Sequence, residues 1–151
     1  MAPAQTSLLA KLDTQQRVRD FLTNAIASGR ASHAYLFLGA PGAGKLDAAW
    51  ALAQAFLCER DGCGSCDSCV RVARHTHPDV HYYTPESATG YLIAQTRELL
   101  DDVPLAPIRA KAKVYIIDRA EQLRANTAIA LLKTLEEPPE GVMFILLGTS
   151  A

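Results

Sequence analysis

Two stretches of this 151-residue sequence, and one acidic strand end, carry residue types at spacings that do chemistry. The first stretch is Gly39-Ala40-Pro41-Gly42-Ala43-Gly44-Lys45, which fits the pattern G-x-x-x-x-G-K. Glycines so placed let backbone N–H groups turn inward around phosphate oxygens, and the lysine offers a point charge to the outer phosphates. A cation at the start of a helix opposes the helix dipole unless an anion sits against it, so Lys45 reads better as a phosphate ligand than as a solvated side chain. The next residue is Leu46, where such loops normally carry the Ser or Thr whose hydroxyl holds Mg²⁺. An aliphatic side chain offers the metal no oxygen, so phosphate binding is compatible with this loop while metal-assisted hydrolysis is impaired.

The second stretch holds every cysteine of the chain, as Cys58-x4-Cys63-x2-Cys66-x2-Cys69. Two overlapping C-x2-C steps in a tight turn aim successive sulfurs at one tetrahedral ion, and Gly62 and Gly64 supply the turning freedom. Zinc is the expected ion, with an iron–sulfur cluster the alternative that four thiolates also permit. Four thiolates close the coordination shell, which makes the expected role structural rather than catalytic. His75 and His77 follow closely and read as ordinary loop histidines. The acidic strand end is Asp118-Arg119-Ala120-Glu121, directly after the apolar run VYII. Asp118 suits a metal-binding carboxylate, but Arg119 stands where a second, water-activating carboxylate belongs. An equal reading has Asp118 and Glu121 merely capping the next helix.

These groups need elements to position them. Val18, Phe21, Leu22, Ala25 and Ile26 recur at helical spacing, so a helix is expected from Asp13, ending near Gly29. His33 to Leu38 reads as a buried strand feeding the glycine loop, with a helix from Lys45 to Leu57 behind it. Strands are expected at Val80–Tyr83, Val114–Ile117 and Val142–Leu147, and helices at Ile93–Leu100 and Thr127–Leu135, the last stopped by Glu136-Glu137-Pro138-Pro139. Alternating strands and helices imply an α/β fold with a parallel sheet covered on both faces. The apolar faces of the 127–135 helix read as core, and Arg71, Arg74, Arg109, Lys111 and Lys113 as solvated surface.

With 49% hydrophobic residues the chain can bury one substantial core, so residues 1–151 read as one domain with 58–69 as a metal-binding insertion within it. Fifteen Lys+Arg against sixteen Asp+Glu leave a formal net charge of −1, which provides no global field for holding nucleic acid. The longest apolar run, Val142 to Leu147, is far too short to span a bilayer, which points to a cytoplasmic protein with no membrane partner. The sequence stops just after an apolar strand that no helix covers, so a piece of a longer protein is expected.

HAYLFLGAPGAGK, the four-cysteine insertion after the loop's helix, ALLKTLEEPP at Ala130 to Pro139 and FILLGTS beyond it resemble, in this order, the clamp-loader ATPase-type subunits of bacterial replicative DNA polymerase III. The resemblance covers nearly the whole chain and implies a P-loop domain of AAA+ type. It implies that Gly39, Pro41, Gly42, Ala43, Gly44, Lys45 and Leu46, with Asp118, face ATP or ADP, that Mg²⁺ is poorly held, and that Thr149 lies near the residue sensing the terminal phosphate. The four cysteines match the family's zinc ligands. Leu46 and Arg119 depart from the catalytic gamma/tau type and resemble the delta-prime type, which acts as a non-hydrolysing stator; the alternative is an active gamma/tau-type ATPase. The partners so implied are gamma/tau and delta subunits, the ring-shaped sliding clamp and primed DNA. The family's arginine-bearing Ser-Arg-Cys motif would lie beyond Ala151. A zinc-containing nucleotide kinase is disfavoured, because no arginine cluster suits a phosphate acceptor.

Overall fold

The computed structural model describes Leu8, Leu12 and residues 16–40, 42–137 and 139–149. The first helix, α1, runs Gln16–Ala27; its expected start at Asp13 lies outside the described residues. It ends as Gly29 requires. At φ 71° this glycine takes the left-handed conformation, its N–H donates to the Ile26 carbonyl, and that of Arg30 donates to the Ala25 carbonyl. Those two bonds satisfy carbonyls that the last helical turn would otherwise leave orphaned.

Strand β1 (Ala34–Leu38) leads into the glycine loop, and α2 (Lys45–Leu57) leaves it. A helix apolar all round belongs in an interior. In α2 Ala48, Ala49, Ala51, Ala53 and Ala55 are all buried, and these small side chains let it lie close against its neighbours. A short helix α3 (Asp67–Ala73) follows the cysteine turn; sequence periodicity did not reveal it because it has only seven residues. Then come β2 (Val80–Tyr83), α4 (Ile93–Asp102), β3 (Lys113–Ile117), a single 3₁₀ turn at Ala120–Gln122, α5 (Ala125–Glu136) and β4 (Val142–Gly148).

The four strands form one parallel sheet in the order β1-β4-β3-β2, with Ala34 opposite Phe144, Val114 opposite Met143, and Val80 opposite Val114. Side chains alternate across it, as the strand period of two demands. Val114, Ile116, Met143, Ile145 and Leu147 join the core under α1 and α2, whereas Tyr115, Ile117, Val142 and Phe144 join a second core with α4 and α5. The expectation that the apolar faces of α5 are core is half right. Thr127 and Leu131 are buried on one stripe, while Ile129 and Leu132 on another are 56% and 59% exposed, because this helix has a neighbour on one side only. None of the described helices is long and apolar enough to cross a membrane.

Two buried ionic groups fix the segments around the sheet. Lys113 is 2% exposed rather than solvated as its sequence context suggested. Its Nζ donates to the Asp102 carbonyl at 2.6 Å and reaches Asp102 Oδ2 at 3.4 Å, an oxygen that also accepts from the Tyr115 hydroxyl. Asp79, fully buried before β2, accepts three backbone N–H groups of the loop leading to β3: Ile108 at 2.6 Å, Arg109 at 2.7 Å and Ala110 at 2.7 Å. Burial pushes the Asp79 carboxyl up, but these donors outweigh it and hold the group below the usual carboxylate range.

Replacing Asp79 with Ala strands three backbone donors and empties a buried position, and we expect a loss of about 2–4 kcal/mol in denaturant unfolding. Because the folded carboxyl titrates below its unfolded value of about 3.9, its contribution is complete above that pH and is lost as the pH falls through the folded value. The wild type should therefore lose more stability on acidification than Asp79→Ala, and parallel pH profiles would contradict the assignment.

Candidate functional site

The glycine loop lies at the C-terminal ends of β1, β3 and β4, where parallel α/β sheets open a crevice. Gly42 and Gly44 take φ of 84° and 91°, values an L side chain rarely adopts, and Gly44 is the N-cap of α2. The Gly39 N–H donates to the Gly148 carbonyl at 3.2 Å, tying the loop's entry to the end of β4. Lys45 follows the same seam: its Nζ donates to the carbonyls of Gly39 at 2.6 Å and Gly148 at 2.9 Å. The ammonium is thereby held at the loop instead of swinging into solvent.

A cleft of about 380 Å³ opens there. Six residues singled out in the sequence line it: Gly42, Gly44, Lys45, Leu46, Asp118 and Thr149. Gly39 and Ala43 stand behind them, the first through its bond to Lys45 and the second through a turn in which its N–H donates to the Ala40 carbonyl. Pro41 lies outside the described residues. Leu46 also packs against the core under α2, so its aliphatic carbons have an interior partner. Glu121 is exposed and does not line the cleft, and neither it nor Asp118 caps the 3₁₀ turn with a side-chain bond.

Three further residues, Asp47, Arg119 and Leu147, complete the lining. Asp47 sits in the first turn of α2, where a carboxylate suits the helix dipole. Arg119 has a left-handed backbone, φ 49° and ψ 54°, and its N–H folds back to donate to Asp118 Oδ1 at 2.9 Å. The other oxygen, Oδ2, accepts from the Tyr82 hydroxyl at 2.9 Å. Sequence reasoning passed over Tyr82. The signal lay in the parallel pairing of VHYY with KVYII, which sets Tyr83 opposite Ile117 and so brings the end of β2 beside Asp118.

The four cysteines gather at the other end of α2. Cys58 is the C-cap of α2 and Cys66 the N-cap of α3, where its sulfur accepts from the Cys69 N–H at 3.4 Å. All four sulfurs lie within 4.8 Å of one another, with Cys58–Cys66 at 3.8 Å and Cys63–Cys69 at 4.0 Å. Metal–sulfur bonds of about 2.3 Å give a tetrahedron with edges of about 3.8 Å, so the thiols already stand at ligand spacing. They are far outside the ~2.05 Å of a disulfide. Gly62 and Gly64, at φ 95° and 82°, make the turn as expected.

Backbone N–H groups point at the sulfurs, from Arg60 and Cys63 to Cys58 and from Ser65 and Cys66 to Cys63. The Ser65 N–H, chief among several donors, brings the Cys63 thiol down to about 5. Burial raises Cys58, yet the N–H groups of Cys63, Arg60 and Gly62 outweigh it and lower the thiol, whereas burial pushes Cys66 and Cys69 up. Such a set is ready to bind a cation that all four thiolates can share. Neither nearby histidine takes part. His77 Nδ1 accepts from the Asp79 N–H at 3.0 Å and its Nε2 meets Ser68 Oγ at 3.2 Å, while His75 stacks on Trp50 with ring centroids 3.8 Å apart.

The chain is similar to known proteins over most of its length. A family model described as DNA polymerase III, delta subunit, matches residues 14–151. The delta' subunit of Bacillus subtilis DNA polymerase III is 41% identical over 138 residues, covering 89% of this chain and 42% of the relative. The tau subunit of the Escherichia coli enzyme is 42% identical over 139 residues, covering 89% of this chain and 21% of the relative. The chain thus spans less than half the length of these relatives. Among solved structures, a gamma subunit-related protein of Thermotoga maritima superposes with a TM-score of 0.58 at 20% identity, over 86% of this chain and 38% of that one. RuvB T158V of the same organism gives 0.50 at 17% identity, over 92% and 38%. At those identities the structures speak for the fold alone, a parallel-sheet P-loop domain of AAA+ type. Matched from residue 14 to its last residue, the chain belongs to the DNA polymerase III delta subunit family.

Proposed function

We propose that this chain is the nucleotide-binding head of a delta-prime-type subunit of the DNA polymerase III clamp loader. It works beside gamma/tau and delta subunits to place the sliding clamp on primed DNA, and it holds ATP or ADP without splitting it at a useful rate. The observation that carries the second part is the pairing of a glycine cradle with a cleft that has Leu46 in place of the magnesium-holding hydroxyl and Arg119 in place of a second carboxylate. Gly42, Gly44 and Lys45 line the cleft, but so do Leu46 and Arg119. Phosphoryl transfer needs a metal bridging the phosphates and a group orienting water, and residues 46 and 119 supply neither. The family match and the identity to a delta' subunit support the first part.

The four cysteines hold zinc on this reading. Their thiol chemistry and spacing fit it, and a closed shell of four sulfurs leaves no position for substrate. When bound, the ion supplies a cross-link and no reaction. The chain's own part is to bring the end of α2 and the start of α3 to one point through Cys58 and Cys66.

A second reading, an ATP-hydrolysing subunit of gamma/tau type, draws on the 42% identity to a tau subunit. It would use Lys45 and Asp118 with Glu121 as a displaced base, and the exposure of Glu121 away from the cleft counts against it.

Three outcomes are expected. The purified full-length protein should show no magnesium-dependent ATP turnover above background; a rate comparable to that of motor ATPases would favour the gamma/tau reading. Lys45→Ala should weaken ATP and ADP binding about 10–100-fold in calorimetric titration, the loss of one charge-assisted contact. Elemental analysis should find one zinc per chain, and Cys66→Ser should lose it and lower Tm by roughly 10 °C, at ~2–4 °C per kcal/mol. An unchanged Tm after metal loss would contradict a structural role.

A further inference from the structure

Asp118 is engaged from within the chain at both carboxylate oxygens, Oδ1 by the Arg119 N–H and Oδ2 by the Tyr82 hydroxyl, each at 2.9 Å. The Tyr82 ring is backed by Trp50 of α2, 6.1 Å away and tilted 36°, and Trp50 is stacked in turn on His75. Tyr82, 39% exposed, thus has Trp50 as a packed neighbour on one side. Burial, reinforced by the Asp118 carboxylate, raises the Tyr82 phenol above its ordinary value, so it stays a donor at neutral pH. Arg119, whose left-handed backbone aims its N–H at Asp118, lines the cleft together with Lys45. A divalent cation arriving on a phosphate tail would meet Leu46 with no oxygen, Asp118 with both oxygens donated to, and two cationic side chains. Asp47 is the other carboxylate in the lining and Thr149 its hydroxyl, so a magnesium ion there would rest largely on phosphate and water oxygens.

We propose that the cleft is built for a nucleoside polyphosphate free of divalent cation: Tyr82 is the positioning residue that ties Asp118 to the protein and weakens it as a metal ligand, and Arg119 binds the phosphate tail with the second positive charge that magnesium would otherwise bring. This rests on the reading that the cleft holds nucleotide, and it adds which form of nucleotide is taken and which residues select it. No bond is made or broken. The phosphates exchange a metal for a guanidinium, which is fixed, planar and able to bond two oxygens at once.

The test is calorimetric titration of ATP into the full-length protein, in EDTA and in millimolar magnesium, alongside Arg119→Ala and the pair Tyr82→Phe with Leu46→Thr. Wild-type binding should be about tenfold or more weaker in millimolar magnesium than in EDTA, because magnesium competes with the cleft for the phosphate tail, and Arg119→Ala should weaken metal-free binding about tenfold. The double variant should gain a magnesium response, binding Mg–ATP about tenfold or more tighter than ATP alone. Leu46→Thr alone, with Tyr82 kept, should show a smaller magnesium response, a difference that a merely structural tyrosine does not produce. Arg119 is exposed, so its variant folds even where the double one is damaged. Wild-type binding as tight in magnesium as in EDTA or tighter, or an Arg119→Ala protein indistinguishable from wild type, would overturn the inference and leave the nucleotide reading standing. Absence of ATP binding in both conditions would overturn that reading and the inference together.

Discussion

Both candidate sites hang from the two ends of one buried helix. α2 begins at Lys45 in the phosphate loop and is C-capped by Cys58 in the thiol cluster. Its placement depends on alanine: five buried alanines let it press against the sheet and against α1 and α3, where larger side chains would hold it off. Its one buried amide is satisfied on both sides, Gln54 Oε1 accepting from the Leu8 N–H at 2.8 Å and Nε2 donating to the Cys69 carbonyl at 3.0 Å. The second of those bonds reaches a residue of the thiol cluster directly. A shift of α2 along its axis would displace the lysine from its two carbonyls and the first cysteine from its three partners in the same movement.

That geometry gives the thiol cluster a reason to exist in a protein whose chemistry, if any, happens elsewhere. A seven-residue helix such as α3 has little stability alone, since helices need more turns or a packed face to persist in water. Drawing four thiolates together fixes its first turn and lets Val72 fill the core below α2. The histidine just past its end then stacks on Trp50, and through the tilted Trp50–Tyr82 contact the insertion reaches the carboxylate in the cleft. This is a continuous line of packed groups from one end of α2 to the other.

Much of this was legible in the sequence, and the reasons are local. The glycine loop, the helix from Lys45 to Leu57 and the strand at Val80–Tyr83 have the bounds expected of them, because each is marked by abrupt changes between glycine, apolar runs and turn residues. Gly29, Gly62 and Gly64 sit at positive φ as their turns require. What escaped notice depends on contacts between segments far apart in the chain. Lys113 looked solvated because nothing near it in sequence announces Asp102, and Ile129 and Leu132 looked buried because periodicity shows an apolar stripe but not whether a neighbour covers it. Arg119 was noticed as a missing carboxylate, whereas its place in the cleft lining follows from a backbone conformation that spacing does not encode.

The substitutions in the cleft are more coherent than a pair of independent losses. A lone Leu46 in an otherwise metal-binding site would leave Asp118 a free carboxylate beside incoming phosphate, and like charges brought together in a cleft repel. The structure deals with that charge: two donors take up the Asp118 oxygens, and one of them is the backbone of the residue that replaces the missing acid. Arg119 thus removes a negative charge, adds a positive one and donates to its neighbour through a single change of residue and backbone angle. The strain of a left-handed non-glycine, of order 1 kcal/mol or more, persists only where surrounding contacts over-determine it. Here the Tyr91 hydroxyl on the Asp118 carbonyl and the Asp118 N–H on the Tyr83 carbonyl at 2.8 Å hold the chain on the near side of that turn.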